Sequence, residues 1–121
     1  DLASQQVIWS EDASSTKRPE VADNKVFVAQ ADGKLTAYDL ATGQQLWQNE
    51  QLLNRELSNP VLFGQDLVVG DLDGVLHLID PNSGQLIGRA KTSGAVRTLR
   101  VIEGQLSVAT RKGTFSVWQN R

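Results

Sequence analysis

The sequence predicts an all-β protein built from repeated four-stranded antiparallel sheets. Three observations support this prediction: one pattern recurs about every forty residues, its apolar runs are short, and turn signals that contain glycine recur between the runs. The runs are about four to seven residues long and rich in Val, Leu, Ile and aromatic residues, which suits strands. An amphipathic helix would instead need apolar residues at the i, i+3 and i+4 spacing.

The repeat is clearest in three segments of equal length that align without gaps. They are PEVADNKVFVAQADG, PVLFGQDLVVGDLDG and LRVIEGQLSVATRKG, which end at Gly33, Gly74 and Gly113. The three glycines are separated by 41 and 39 positions. A period of this size indicates that one supersecondary unit is stacked on the next.

Each repeat is interpreted as four strands, A to D, in chain order. Strand A lies near Val21 in the first repeat and over Pro60–Phe63 in the second. The other strands are B at Lys25–Gln30, Asp66–Asp71 and Gln105–Thr110, C at Lys34–Asp39, Val75–Asp80 and Thr114–Gln119, and D at Gln44–Gln48 and Gln85–Ala90.

Two kinds of turn join these strands. Between B and C, the Asp-Gly pairs that end at Gly33 and Gly74 predict type I′ hairpins, which need positive φ at both central positions. The pair Lys112–Gly113 suits that turn less well. Between C and D, Asp39 and Asp80 are expected to accept hydrogen bonds from backbone N–H groups two residues on. The glycines that close these turns in the left-handed conformation are Gly43 and Gly84.

The strand pattern predicts how the sheets pack. Strand B is apolar on both sides, which is typical of a sheet covered on both faces. Four-stranded sheets stacked face to face around an axis form a β-propeller. We therefore predict one partial propeller domain over residues 1–121, with about three blades' worth of chain. Its parts are the end of a preceding blade at 1–10, blades at 19–48 and 60–91, and an incomplete last blade at 97–121.

The incomplete blade lacks strand D, which leaves strand C at a sheet edge. A spare strand D is predicted at Gln5–Trp9, where it could pair with a preceding blade or with another copy of the chain. An unpaired edge strand is a template for such pairing.

The phrase GKLTAYDLATGQQLW, from Gly33 to Trp47, resembles the blade repeat of quinoprotein-like propellers. In that group the tryptophan docks between blades, and Trp9 occupies the same repeat position as Trp47. The stretch Leu57–Asp80 is similar to the C-terminal blades of the BamB family, the propeller lipoproteins of the outer-membrane β-barrel assembly machinery. The resemblance covers essentially the whole chain.

The resemblance implies a scaffold without catalytic residues, cofactor or metal. Propellers of the BamB family have eight blades and are lipid-anchored at the periplasmic face of the bacterial outer membrane. They bind the periplasmic domains of BamA and other assembly subunits, and they support insertion of nascent outer-membrane proteins. The chain is accordingly expected to be a C-terminal fragment of such a propeller, since three blades are too few to close a ring.

Composition narrows the classes of function that the chain could have. The chain has no cysteine, which excludes disulfides and thiolate chemistry in this segment, and its formal charge of −2 does not indicate a nucleic-acid partner. A quinone-dependent dehydrogenase propeller stays open, although it would need paired cysteines and Ca²⁺ ligands. A WD40-type interaction propeller also stays open, because it shares the Tyr38–Asp39 end of strand C, but it would predict Gly-His pairs that this sequence lacks.

Three features resemble sites but have simpler interpretations. The run Gly70–Gly74 resembles part of a Ca²⁺ loop, yet the remaining ligands are absent, so it is interpreted as a hairpin turn. His77 has no evident partner base and is interpreted as a strand-face residue, with a pH-sensitive contact as the alternative. Trp9, Trp47 and Trp118 could form a surface for peptide recognition, but blade packing is the simpler interpretation, with Trp118 packed within strand C.

Two irregular connections are the candidate interaction segments. They are Ser10–Pro19 and Asn49–Pro60, and the second could hold a short helical turn. Loops on a rigid scaffold carry function more often than the scaffold does, although either segment could be a plain solvated connection. The candidate partner contacts are Leu52, Leu53 and Arg55.

Overall fold

The computed structural model describes residues 6–10 and 17–119, and these residues form strands, turns and irregular backbone. The strands of the described residues are β1 (Glu20–Ala22), β2 (Lys25–Ala29), β3 (Leu35–Asp39), β4 (Gln45–Asn49), β5 (Val61–Phe63), β6 (Asp66–Gly70), β7 (Val75–Ile79), β8 (Leu86–Lys91), β9 (Val96–Ile102), β10 (Gln105–Thr110) and β11 (Phe115–Gln119). Within those residues, no helix is long and apolar enough to cross a membrane.

The strands form three sheets that follow the sequence repeat. The first sheet has the order β1-β2-β3-β4, the second β5-β6-β7-β8, and the third β11-β10-β9. Each is an antiparallel meander whose neighbouring strands are joined by a turn. The strands β1, β5 and β9, which begin the three sheets, lie side by side. The predicted all-β architecture of a partial propeller is confirmed.

Two apolar cores lie between neighbouring sheets. The first contains Phe27, Ala29, Leu35, Ala37, Trp47, Leu52, Leu57, Leu67, Val69 and Ile79. The second contains Val61, Val68, Leu76, Val96, Leu99, Leu106 and Val108. Successive residues of a strand point to opposite faces, so Leu67 and Val69 of β6 enter the first core and Val68 enters the second. The inner strands β6 and β7 of the second sheet are therefore covered on both faces, which explains why they are almost continuously apolar, whereas β8 is mostly exposed.

The β2–β3 hairpin differs from the predicted type I′ turn. Gly33 N donates to Gln30 O at 3.0 Å, and Gln30 N donates to Lys34 O at 2.8 Å. Gly33 has a φ of +98°, whereas Asp32 does not adopt positive φ. This is a three-residue loop in which only the glycine is left-handed. The carboxylate of Asp32 accepts a hydrogen bond from Lys34 N at 3.0 Å, which is an aspartate's usual contribution to a turn.

The other two repeats close the equivalent loop in the same way. Gly74 and Gly113 have φ of +81° and +90° and donate to the backbone oxygen three residues earlier. Because only the glycine needs positive φ, Lys112 is as acceptable as aspartate before it, contrary to the sequence-based expectation. Two consecutive residues with positive φ, the mark of a type I′ turn, occur instead between β1 and β2, at Asp23 and Asn24, and between β9 and β10, at Glu103 and Gly104.

The turns between the third and fourth strands use an aspartate and a glycine. The Asp39 carboxylate accepts hydrogen bonds from two backbone N–H groups at 2.9 and 3.0 Å, and Gly43 N donates to Asp39 O at 2.8 Å. Asp80 and Gly84 form the corresponding turn in the second sheet. The glycines have φ of +77° and +78°, a conformation that L residues with a Cβ rarely adopt.

A tryptophan covers each of these two glycines. Trp47 on β4 lies against Gly84, where a Cβ atom would be 2.5 Å from indole Cδ2, and its Nε1 donates to Pro81 O at 2.9 Å. Trp9 lies against Gly43 in the same manner, at 2.6 Å from Cδ2, and its Nε1 donates to the backbone of that turn at 2.7 Å. The glycines therefore serve the turn and also make room for an indole, so turn geometry alone does not account for them.

We expect Gly84→Ala to destabilise the fold more than Gly104→Ala. The two glycines have φ of +78° and +77°, so both substitutions carry the same left-handed cost of roughly 1–2 kcal/mol. Only at Gly84 would the new methyl meet an indole, because no atom lies within 4 Å of the equivalent position at Gly104. Overpacking should add about 1–3 kcal/mol to the loss in urea-unfolding free energy. Equal losses for the two variants would contradict a steric role of Trp47.

Two segments differ from their sequence-based interpretation. Residues 49–59 contain turns but no helix. Residues 6–10 form no strand, so the spare strand D predicted at Gln5–Trp9 is not formed in its described part, and Gln5 lies outside the described residues. A strand requires a neighbour that accepts its backbone hydrogen bonds, and among the described residues none is paired with 6–10. Of the connection Ser10–Pro19, residues 11–16 also lie outside the described part.

Candidate functional site

The connection between β4 and β5, residues 50–60, is hydrogen-bonded to hairpins of both neighbouring sheets. Asn54 N donates to Asp32 O in the β2–β3 hairpin at 3.0 Å. Leu72 N, in the β6–β7 hairpin, donates to Arg55 O at 3.0 Å. A plain solvated connection would leave these backbone groups to water, so this loop is a fixed part of the scaffold.

The candidate contact residues of this loop differ in exposure. Leu52 and Leu57 are 1% and 5% exposed and belong to the first core. Leu53 is 39% exposed, and the side chain of Arg55 is 41% exposed. The Leu52 side chain is therefore not available to a partner, because it serves to anchor the loop. Leu53 and Arg55 stay accessible.

The loop backbone adopts two unusual conformations. Asn54 and Glu56 have φ of +65° and +52°, a region that asparagine tolerates and that glutamate seldom occupies. Such conformations persist where the surroundings hold them. Here Ser58 N donates to Gly70 O at 2.8 Å, and Gly70 N donates back to the Ser58 hydroxyl at 2.9 Å. The loop is thus held in one shape on either side of Glu56.

A buried carboxylate, Asp71, links this loop to the second sheet. Its Oδ2 lies 2.7 Å from His77 Nε2 and 3.5 Å from Arg55 Nη1. Its Oδ1 accepts hydrogen bonds from Asp73 N and Val75 N at 2.9 and 3.0 Å. Asp71 is fully buried and His77 is 5% exposed, so both carboxylate oxygens are satisfied inside the protein. We call the buried Asp71 and His77, together with the accessible Arg55, the Asp71 cluster.

Opposing effects act on the carboxyl group of this cluster. Burial alone would raise the pKa of Asp71, because a poorly polar environment disfavours the charged form. The hydrogen bond with His77, its positive charge when protonated, and the N–H groups of Val75 and Asp73 act the other way. Together these lower the pKa of Asp71 below its ordinary value, so the group is ionised at neutral pH.

The pair of Asp71 and His77 was not predicted from the sequence. The interpretation that His77 lacks a partner base is wrong, and the hairpin role of Asp71 is only half of what it does. In the aligned repeats these residues occupy the columns of Gln30 and Thr36, whose side chains also meet, with Gln30 Nε2 donating to Thr36 Oγ1 at 3.4 Å. Two polar columns that face each other across one hairpin were the signal that could have revealed the pair.

The cluster joins the β6–β7 hairpin to a side chain of β7, which is a structural role. An imidazole oriented by a carboxylate also occurs in hydrolases, where it activates a hydroxyl or thiol nucleophile. In residues 6–10 and 17–119, His77 has no hydrogen bond to a hydroxyl, and no group of three or more His, Asp or Glu residues is placed to hold a metal ion. The predicted glycines and aspartates of the repeat motif lie in separate turns, and the predicted tryptophans Trp9 and Trp47 pack on two of these turns, at Gly43 and Gly84.

We expect the stability difference between the wild type and Asp71→Asn to shrink below about pH 4. The folded-state pKa of Asp71 lies below 3.8, its unfolded value. Its ionised form therefore contributes stability above that pH, and this contribution is lost as pH falls through the folded-state pKa. Urea unfolding of both proteins from neutral pH to about pH 2 measures the difference between their free energies of unfolding. The contributions of the other carboxylates are the same in both proteins and cancel in this difference. A difference that grew on acidification would contradict the direction of the shift.

Comparison with known proteins places this chain in a family. The family described as outer membrane protein assembly factor BamB matches residues 1–121. The BamB proteins of Taylorella asinigenitalis and Marinobacter adhaerens are 43% identical over 82 residues and 32% identical over 122 aligned positions. These alignments cover 68% and 98% of this chain but 21% and 31% of the relatives. The chain therefore spans less than a third of the length of these relatives.

The fold agrees with the sequence comparison. The crystal structure of BamB from Moraxella catarrhalis is similar to this structure with a TM-score of 0.92 and 37% sequence identity. The similarity covers 99% of this chain and 36% of that one. On the family match over all its residues and on this structural likeness, the chain belongs to the BamB family of outer membrane protein assembly factors.

Proposed function

We propose that this chain is part of a non-enzymatic scaffold that acts in the assembly of outer-membrane β-barrel proteins. The observation that carries the proposal is the match of the BamB family to residues 1–121. Relatives from Marinobacter adhaerens and Escherichia coli are named as assembly factors. The stacked sheets and tightly held loops suit a protein that presents a rigid surface to others.

The proposed partners are the periplasmic domains of BamA, other subunits of the assembly complex, and nascent outer-membrane proteins. The proposed location is the periplasmic face of the outer membrane, with a lipid anchor on a part of the protein outside this segment. Resemblance to the lipoproteins of the BamB family supports both proposals.

The loop between β4 and β5 is the proposed contact of this segment. Leu53 offers an accessible apolar group, and Arg55 offers an accessible guanidinium whose Nη1 lies 3.5 Å from the buried Asp71. A loop fixed by hydrogen bonds before binding loses little conformational entropy when a partner docks. Apolar and arginine side chains on such a preorganised loop are the groups that dominate many interfaces.

The test is binding of full-length protein to the BamA periplasmic domains from the same bacterium. We expect Leu53→Asp to weaken binding about tenfold or more, which corresponds to at least about 1.4 kcal/mol. The matched control is Leu86→Asp, because Leu86 on β8 is 37% exposed, close to the 39% of Leu53. Equal affinities for the two variants would reject the loop contact, and absence of binding by the wild type would reject this partner.

A further inference from the structure

Four cationic side chains line a groove beside the first strands of the first and third sheets. Lys17, Arg18, Arg97 and Arg100 line a cavity of about 410 Å³. The cavity continues into a second one of about 200 Å³, whose one carboxylate is Glu20. The chain has 12 lysines and arginines and a net charge of −2, so this concentration of positive charge is local. We call these four residues the basic groove.

A β-bulge brings two of the arginines to the same side. The register between β9 and β10 shifts between Ala109 and Thr110, which leaves Arg97 without a partner residue. On a regular strand, residues three positions apart point to opposite faces. The extra residue of a bulge changes the direction of a side chain, so Arg97 and Arg100 both line the groove.

The floor of the basic groove is fixed. The Asn59 side chain donates to Leu99 O at 2.8 Å and accepts from Leu99 N at 2.9 Å, so it pairs with β9 as a neighbouring strand would. The Glu20 carboxylate accepts a hydrogen bond from Leu62 N at 2.7 Å. Glu20, the one described acidic residue that lines the groove, is therefore already engaged with backbone, and the groove exists before any ligand arrives.

The arginines of the basic groove lack acidic partners in the described part of the chain. There, no ion pair joins Arg18, Arg97 or Arg100 to a carboxylate. The repeat does not require their charge either, because the column of Arg100 holds Glu20 in the first repeat and Val61 in the second. Arginines that make no ion pair among the described residues, clustered in one groove, favour an anionic ligand.

We infer that the basic groove binds an acidic segment of a partner protein in extended conformation. Guanidinium groups pair with carboxylates through two parallel hydrogen bonds, which gives geometric specificity. The two arginines of β9 are three residues apart, so the groove follows the strand for roughly 10 Å. That length suits carboxylates on alternate residues of an extended chain, roughly 7 Å apart, better than one compact anion. The inference does not depend on the proposed contact with BamA.

The experiment measures binding of a fluorescein-labelled poly-glutamate peptide to the full-length protein by fluorescence anisotropy. We expect binding at about 0.01 M ionic strength that weakens strongly at about 0.15 M, where the Debye length falls from about 30 Å to about 8 Å. The variant R97E/R100E should lose about tenfold or more in affinity, since two attractive contacts become repulsive. Arg18→Glu tests the same groove from a separate segment.

The matched control is R89E/K91E. Arg89 and Lys91 lie exposed on β8, away from the groove, and their reversal changes the net charge by the same amount. Retained binding by the control, with loss in R97E/R100E and Arg18→Glu, would support the inference. The inference would be overturned by equal loss in all variants or by equal binding of a poly-lysine peptide. Full displacement of the peptide by millimolar inorganic phosphate would also overturn it, because it would indicate a site for small anions.

Discussion

Trp47→Ala is expected to lower the free energy of unfolding by about 3–5 kcal/mol, the range of large aromatic truncations in cores. The side chain is 9% exposed, belongs to the first core, and lies against Gly84 of the next sheet. Its ring centroid is 6.1 Å from that of Phe27, so the truncation also removes an aromatic contact within its own sheet. Since single domains are stable by only about 5–15 kcal/mol, the variant should be close to the limit of folding.

Two further variants separate the contributions of this tryptophan. Trp47→Phe keeps an aromatic ring but loses the Nε1 hydrogen bond to Pro81 O, and it should cost much less than the alanine variant, with about 1 kcal/mol from the hydrogen bond. Trp118→Ala is the matched control, because Trp118 is only partly buried at the edge of the second core. Urea unfolding monitored by circular dichroism measures all three variants. Similar losses for Trp47→Ala and Trp118→Ala would contradict the docking role of Trp47.

The strands could be predicted because the apolar pattern of a strand and the glycine of its turn lie within a few residues of each other. The period then repeats the same assignment along the chain. The turn details were harder, because the Asp-Gly pair is compatible with a two-residue and a three-residue hairpin. The hydrogen bond from Gln30 N to Lys34 O decides between them, and it depends on the register of β2 and β3. The aligned Lys112–Gly113 pair indicates the three-residue loop, because a lysine in place of the aspartate is compatible with a turn in which only the glycine has positive φ.

Contacts between repeats could not be deduced from the pattern. Gly84 is explained as a turn glycine by its own neighbours, whereas the indole that fills the space above it comes from Trp47, a full repeat earlier. Leu52 belongs to an irregular segment, where no periodicity distinguishes a buried leucine from an exposed one. Its 1% exposure results from packing in the first core, and the neighbouring Leu53 is 39% exposed.

Asp71→Ala is expected to cost about 3–5 kcal/mol of unfolding free energy, comparable to the loss of one partner from a buried ion pair. The substitution leaves the N–H groups of Asp73 and Val75 without their acceptor and His77 without its partner. Asp71→Asn should be milder, because one amide oxygen can still accept those N–H groups. Arg55→Ala should cost at most about 1 kcal/mol, since its 3.5 Å contact is long and its side chain is 41% exposed.

A double-mutant cycle shows whether Asp71 and His77 stabilise the fold as a pair. His77→Ala would leave a buried carboxylate oxygen without its hydrogen bond, so each single variant includes the cost of an unsatisfied partner. The double variant removes both groups and should be more stable than the sum of the single losses predicts, by about 1–3 kcal/mol. Gln30→Ala with Thr36→Ala is the control cycle, because the same two columns hold a neutral pair at 3.4 Å. We expect its coupling to be smaller, since hydrogen bonds to a charged group are roughly twice as strong as neutral ones. Equal coupling in the two cycles would mean that the charge of Asp71 adds nothing to the hydrogen bond between the columns.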